Sequence, residues 1–260
     1  KTFYKILLIA ALILISTGCS SMTAPEANNN HNSQIHQGNN FFIIVASKKT
    51  AKELAQPHQS SFLEDRVSTE ITKLEIIDGK AKFSVKTSIL YQPLTTSKNS
   101  VSFCSGEYML EDKIREYMED EISKRLLNIA SFARNNANLK FNLSFDILGT
   151  ADNNNVDTGI FKTRYLGELS NGQDIVLPCP IGYGECIIPI NSKLSNTRIA
   201  ILRSVNGYNM VKRIHSKIQV EANDSFSMKK SKLNYALYPE SGPAYRRLDI
   251  IINFEIQSEG

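Results

Sequence analysis

Three separated groups of residues in the second half of this chain carry the side chains best suited to hold a charged ligand. Asp152 follows Gly149-Thr150-Ala151. Arg198 closes the run Asn191-Ser192-Lys193-Leu194-Ser195-Asn196-Thr197-Arg198. Arg246 and Arg247 precede Leu248-Asp249-Ile250. Chemically, an acid receives a cation, and a guanidinium grips a carboxylate through two parallel hydrogen bonds, which a lysine does less well. Asp152 and Arg198 are therefore candidate binding residues.

These groups need elements to position them. Leu139, Phe141, Leu143, Phe145 and Ile147 alternate with Lys140, Asn142, Ser144 and Asp146, which predicts a strand with one buried face. The strand is expected to end at Gly149, leaving Asp152 just past its carboxyl end. Ser195 is the expected N-cap of a helix whose apolar side is Ala200, Ile201, Leu202 and Val205, with Asn206-Gly207 as its stop. Arg198 then falls in the first turn. A cation there opposes the helix dipole, whereas an anion is welcome, so an arginine in that place makes sense if it meets a carboxylate. Each residue also has a plainer reading. Asp152 before three asparagines is an ordinary turn former, Arg198 is a solvated charge, and Asn191 satisfies a loop backbone. Arg246 and Arg247 read as structural or surface charges at a strand start rather than as ligands.

Taken together, Gly149 with Asp152, then Asn191, Leu194, Ser195 and Arg198, then Arg246-Arg247 before an alternating strand, resemble the OmpA C-terminal-like domain. That resemblance covers residues 100–257. It implies an α/β (α+β) fold, a sandwich of helices on a mixed sheet. It also implies non-covalent binding of peptidoglycan through the free end of diaminopimelate in the stem peptide. Asp152 would take the ammonium and Arg198 the carboxylate, with Asn191 beside them. The chain departs from the family pattern in four places. Ala151 stands where Thr is usual, Ile190 replaces a Tyr, and Ile199 replaces an Ala. An insertion at about 153–190 also separates acid from guanidinium.

The beginning of the chain speaks of export. It opens on Lys1 rather than Met, as expected of a sequence trimmed at its start. Lys1 and Lys5 precede an apolar run at 6–15, too short to span a bilayer and of the length of a signal-peptide core. Ser16-Thr17-Gly18-Cys19 resembles the lipobox of bacterial lipoproteins, although Ser16 stands where Leu is usual. The resemblance implies lipidation at Cys19. Ser20, where an Asp would retain the protein in the inner membrane, favours the periplasmic face of the outer membrane. Residues 20–40, rich in Ser, Asn and His, read as a disordered tether.

Cys104, Cys179 and Cys186 remain in an oxidising compartment. Three thiols allow three single bridges. The compact choice is Cys179 with Cys186 across a loop holding two glycines, which adds roughly 2.5 kcal/mol in the chain-entropy account. A zinc site lacks a fourth ligand of recognisable spacing.

Elsewhere, residues 41–46 read as a short strand. Residues 67–77 and 80–91 flank Asp78-Gly79 as a hairpin, making 41–99 a β-rich N-terminal unit or an extension of the sheet. A long amphipathic helix is expected from 106 to 135, a strand around Ile218, Val220 and Ala222, and a last strand over Leu248 to Ile256. The chain has 260 residues, 42% of them hydrophobic, and a net charge of +4, enough for one large core or two small ones. It lacks a Gly-x-Ser-x-Gly elbow, a His-Glu-x-x-His pair and a phosphate loop. A binding module is therefore favoured over an enzyme, with no cofactor, no metal and no nucleic-acid partner expected. The other reading is a structural lipoprotein of an envelope secretion or conjugation apparatus that kept the fold and lost the pocket.

Overall fold

The computed structural model describes residues 30–56, 67–72, 74–77, 79–90, 107–153, 164–177, 187–219, 223–242 and 245–258. The chain divides at Ile35/His36 into two compact units, and the elements below belong to the second, apart from the start of the first helix. They are α1 (Asn30–Leu54), β1 (Val67–Ile71), β2 (Glu75–Ile77), β3 (Lys80–Leu90), α2 (Asp112–Arg134), β4 (Leu139–Ala151), β5 (Ile175–Val176), β6 (Ile187–Ile188), α3 (Asn196–Ile218), β7 (Phe226–Met228), β8 (Lys232–Leu237) and β9 (Arg247–Ser258).

Seven strands make one mixed sheet in the order β1-β3-β9-β4, with β7 and β8 both along the far side of β4 and β2 on β3. Strand β9 is antiparallel to β3 from Lys80↔Gln257 to Leu90↔Arg247, and to β4 from Leu139↔Ser258 to Gly149↔Leu248. The run Asp146↔Lys232 to Ala151↔Leu237 is parallel. The period-2 pattern has its expected result. Phe141, Leu143, Phe145 and Ile147 are buried on β4, as are Ile250, Ile252, Phe254 and Ile256 on β9. They form one core with Ile43, Ala46 and Leu54 of α1, Ile114, Met118, Ile122 and Leu126 of α2, and Met210, Val211 and Ile214 of α3. This is the α+β sandwich of helices on a mixed sheet.

Four local expectations differ from the structure. Residues 41–46 are helical, not a strand. Ile43, Ala46, Ser47, Thr50 and Leu54 are buried at helical spacing, and a six-residue apolar run cannot by itself distinguish strand from helix. Helix α1 also takes in residues 30–40 of the segment read as tether. Helix α3 does not stop at Asn206-Gly207 but continues to Ile218. Gly207 is there for contact rather than termination, since a Cβ would stand 2.7 Å from Leu248 Cδ1 and 2.8 Å from Ile147 Cγ2. Ile218 consequently ends a helix instead of beginning a strand, while Val220 and Ala222 lie outside the described residues. Strands β1, β2 and β3, read as a separate unit or a sheet extension, lie in the same sheet as β4 and β9.

Candidate functional site

The site is set by how closely α3 lies on β4. A Cβ at Gly149 would stand 2.1 Å from the Ala200 carbonyl oxygen and 2.5 Å from the Ser204 nitrogen, so only glycine admits the helix. With Gly207 against Ile147, these contacts run α3 back along β4. The start of the helix is thereby brought to the end of the strand. Asp152 and Arg198, 46 positions apart in sequence, are carried at this same end of the β4–α3 pair.

Asp152 is buried, 3% exposed. Strand β8 pairs as far as Ala151↔Leu237, and the chain after it folds back over the acid, with Tyr238 N–H donating to the Ala151 carbonyl (3.0 Å) and Asn153 N–H to Glu240 (3.3 Å). Gly242 N–H donates to Asp152 Oδ2 at 2.9 Å, and Arg246 Nε lies 3.3 Å from the same oxygen. Arg246, read from sequence as a structural or surface charge at a strand start, is the guanidinium beside the buried acid. Neighbouring Thr150 pins the entry to β9. Its hydroxyl donates to the Tyr245 carbonyl (2.7 Å) and accepts from Arg247 N–H (3.1 Å).

Arg198 stands in the first turn as expected. Ser195 caps α3 by accepting from Arg198 N–H at 3.3 Å. The Arg198 side chain folds toward the preceding loop, with Nη1 donating to the Lys193 carbonyl at 2.6 Å. Asn191 has φ +63°, a left-handed conformation that asparagine tolerates well. Its N–H donates to Tyr165 O (2.7 Å) and its carbonyl accepts from Arg164 (2.6 Å). In the structure it is a turn residue joining the excursion to α3.

The excursion has its own small core. Tyr108, Tyr165, Ile175, Ile188 and Leu194 pack on Ile199, Ala200, Leu202 and Val205, beneath the short β5–β6 ladder. Tyr108 donates to Glu168 at 2.8 Å, and burial followed by that carboxylate pushes its phenol well above the usual range. Tyr165, bonded to Ser170 at 2.6 Å, is likewise raised by burial. The residue most clearly missed by sequence reasoning is Arg203, which is 1% exposed. Its Nε and Nη2 donate to the Glu107 carbonyl at 2.9 and 2.7 Å, and Nη1 donates to Thr150 O. Its place within the apolar run 199–205 was the available signal, because the helix face that binds the sheet carries it inward.

Cys19, Cys104, Cys179 and Cys186 lie outside the described residues. Among the described residues no group of His, Cys, Asp and Glu has the arrangement of a metal site, and no helix is long and apolar enough to cross a membrane.

No family model and no curated protein matches the chain. Among solved structures it is similar to the periplasmic domain of MotB at 12% identity and TM-score 0.27, over 94% of this chain and 91% of that one. It is similar to the Helicobacter pylori MotB periplasmic domain at 13% identity and TM-score 0.23, over 72% and 82%. A third similarity is to the OmpA-like domain of FopA1 from Francisella tularensis subsp. tularensis SCHU S4, at 8% identity and TM-score 0.25, over 79% and 92%. The α+β sandwich itself stands on the sheet order and helix placement described above.

Proposed function

We propose that this chain is a non-enzymatic, lipid-anchored envelope module that binds peptidoglycan through the free end of diaminopimelate, at the periplasmic face of the outer membrane. The reading rests on one observation joined to the sequence resemblance. The acid at the end of β4 and the arginine in the first turn of α3 are set at one end of a rigid strand–helix pair. Arg246 lies beside the buried Asp152 carboxylate, Nε 3.3 Å from Oδ2. The N-terminus of α3, with its capped first turn, suits the ligand's carboxylate. In this reading Arg198 leaves the Lys193 carbonyl to grip that carboxylate, Asp152 receives the ammonium, and Asn191 holds the loop between them.

The test is retention on purified sacculi by a chain beginning at residue 20, with circular dichroism as the folding control. Arg198→Ala is expected to cost roughly 2–5 kcal/mol of binding while the fold persists. Arg198→Lys also loses most of the retention, because the planar fork is gone. Undiminished retention by folded Arg198→Ala would remove the site. Mass spectrometry of the envelope-extracted protein tests the anchor, which requires an acylated Cys19. Non-reducing peptide mapping tests the proposed Cys179–Cys186 bridge and free Cys104.

A second reading is favoured by the closure of Asp152 beneath Gly242 and Arg246. The fold would then serve as a structural lipoprotein of an envelope apparatus, with the acid consumed internally. Absence of retention by the unsubstituted chain selects this reading.

A further inference from the structure

The outer side of α1 is at odds with its place on a packed domain. Its buried residues, Ile43, Ala46, Ser47, Thr50 and Leu54, follow the helical repeat along one side. At 100° per residue, Phe41, Val45, Lys48 and Lys52 fall together on the opposite side. Phe41 is 63% exposed, Phe42 56% and Val45 47%. Two neighbouring phenylalanines left in water on a helix already anchored by its other face are an unspent apolar surface.

Beside this stripe lies an open groove of about 590 Å3 between α1 and the edge of the sheet. Ala51, Ala55, Ile71, Leu74 and Phe83 line it, and Lys48 and Lys52 stand on its border. Lys49 is engaged elsewhere, its ammonium 3.9 Å from the centre of the Phe132 ring. Glu53, the acid of this part of the helix, accepts from Asn128 at 2.8 Å and from Gln56 at 3.0 Å. The surface therefore combines exposed rings, an apolar furrow and two cations at its margin.

We infer that this side of α1, with its groove, docks on an anionic bilayer surface. Rings and Val45 enter the boundary between headgroups and acyl chains while Lys48 and Lys52 meet phosphates, the division of labour of an interfacial helix. From residue 20 onward, without Lys1 and Lys5, the net charge is +2, which acts in the same direction. A second copy suits the surface less well, since a self-complementary pairing brings Lys48 and Lys52 of both copies to one seam. The inference draws on the proposed anchor at Cys19 for one point only: that anchor would deliver this helix to a membrane, because Cys19 precedes α1 by a short segment.

The experiment removes the anchor so that the two ideas fail separately. The chain is made from residue 20, which includes every described residue and excludes both the leader and the acylation site. The sequence has no tryptophan, so Phe41→Trp places a single reporter on the stripe. Vesicles of phosphatidylglycerol and phosphatidylethanolamine should shift its emission to the blue, and brominated acyl chains should quench it, with little response to phosphatidylcholine alone. Lys48→Glu with Lys52→Glu is expected to lower partitioning on the order of tenfold or more. Phe41→Ser with Phe42→Ser, read by co-sedimentation, should abolish it with an unchanged circular dichroism spectrum. Absence of blue shift and co-sedimentation with anionic vesicles overturns the inference, whatever the state of Cys19. So does a dimer seen by sedimentation without lipid and lost in the double serine variant, which would assign the surface to a second copy.

Discussion

Arg246 and Arg247 are adjacent in sequence and serve two different buried acids. Arg246 turns to Asp152 at the end of β4, beneath the loop that contains Gly242. Arg247, the first residue of β9, turns to Asp249 two places along the same strand, with Nε 3.1 Å from Oδ2. Asp249 is 1% exposed and also has Lys86 of the neighbouring strand at 3.6 Å. The guanidinium of Arg247 further donates to the Tyr238 hydroxyl at 3.3 Å. Asp152 thus meets Arg246 and the Gly242 amide, whereas Asp249 meets both Arg247 and Lys86. Ion-pair geometry alone does not rank them. What ranks them is how much charge remains uncompensated when one partner is removed.

The comparison predicts a steep order of effects. Arg246→Ala should be the most damaging, costing about 3–5 kcal/mol of unfolding free energy, because it takes a guanidinium away from a carboxylate that is only 3% exposed. Denaturant melts of the chain from residue 20 measure it. Adding Asp152→Asn should return part of the loss, and failure to do so would show that Arg246 acts through packing rather than charge. Arg247→Ala should cost less, about 1–2 kcal/mol, since Lys86 still faces Asp249. The comparison breaks if the two single losses are equal. Lys86→Ala added to Arg247→Ala should then cost more than the sum of the separate changes.

The smallest effect comes from the half-buried His215. It lies 5.2 Å from the ring of Phe145, and among the described residues its buried Nε2 finds no hydrogen-bond partner. Burial lowers its pKa below the ordinary 6.5. Between that lowered value and 6.5 the unfolded chain binds more protons than the folded one, so folding stability rises with pH across this window and falls as the solution is acidified through it. Melting temperatures measured from below pH 6.5 up to neutrality should show this slope, and His215→Phe should flatten it. An identical slope in that variant would place the acid sensitivity elsewhere.

Much of the frame was legible because it depends on simple repeats. Residues 139–147 alternate strictly and residues 248–256 alternate except at Ile251, and both are strands in the middle of the sheet. The cap at Ser195 is a local choice between one hydroxyl and one amide, and it was readable as such. Asn206-Gly207 misled because the same dipeptide that ends helices also allows two elements to touch, and only Ile147 and Leu248, distant in sequence, decide between these meanings. The partner of Asp152 was hidden for a similar reason. Arg246 reaches the acid by a loop closure over 90 positions, which no spacing announces. Residues 41–46 were too short to reveal their period until Ser47, Thr50 and Leu54 joined them on one side of a helix.

Strand β9 follows every other described element in the chain, yet it lies between β3 and β4 in the middle of the sheet. While the polypeptide is being made, β3 and β4 therefore wait with their inner edges open, since each pairs on that side with β9. Long-range pairing of this kind closes late and leaves apolar strand edges unprotected in the interval. A chain interrupted before residue 247 would lose the seam of its sheet rather than its margin. The interval before that seam closes is when the newly made protein is most exposed to chaperones and proteases.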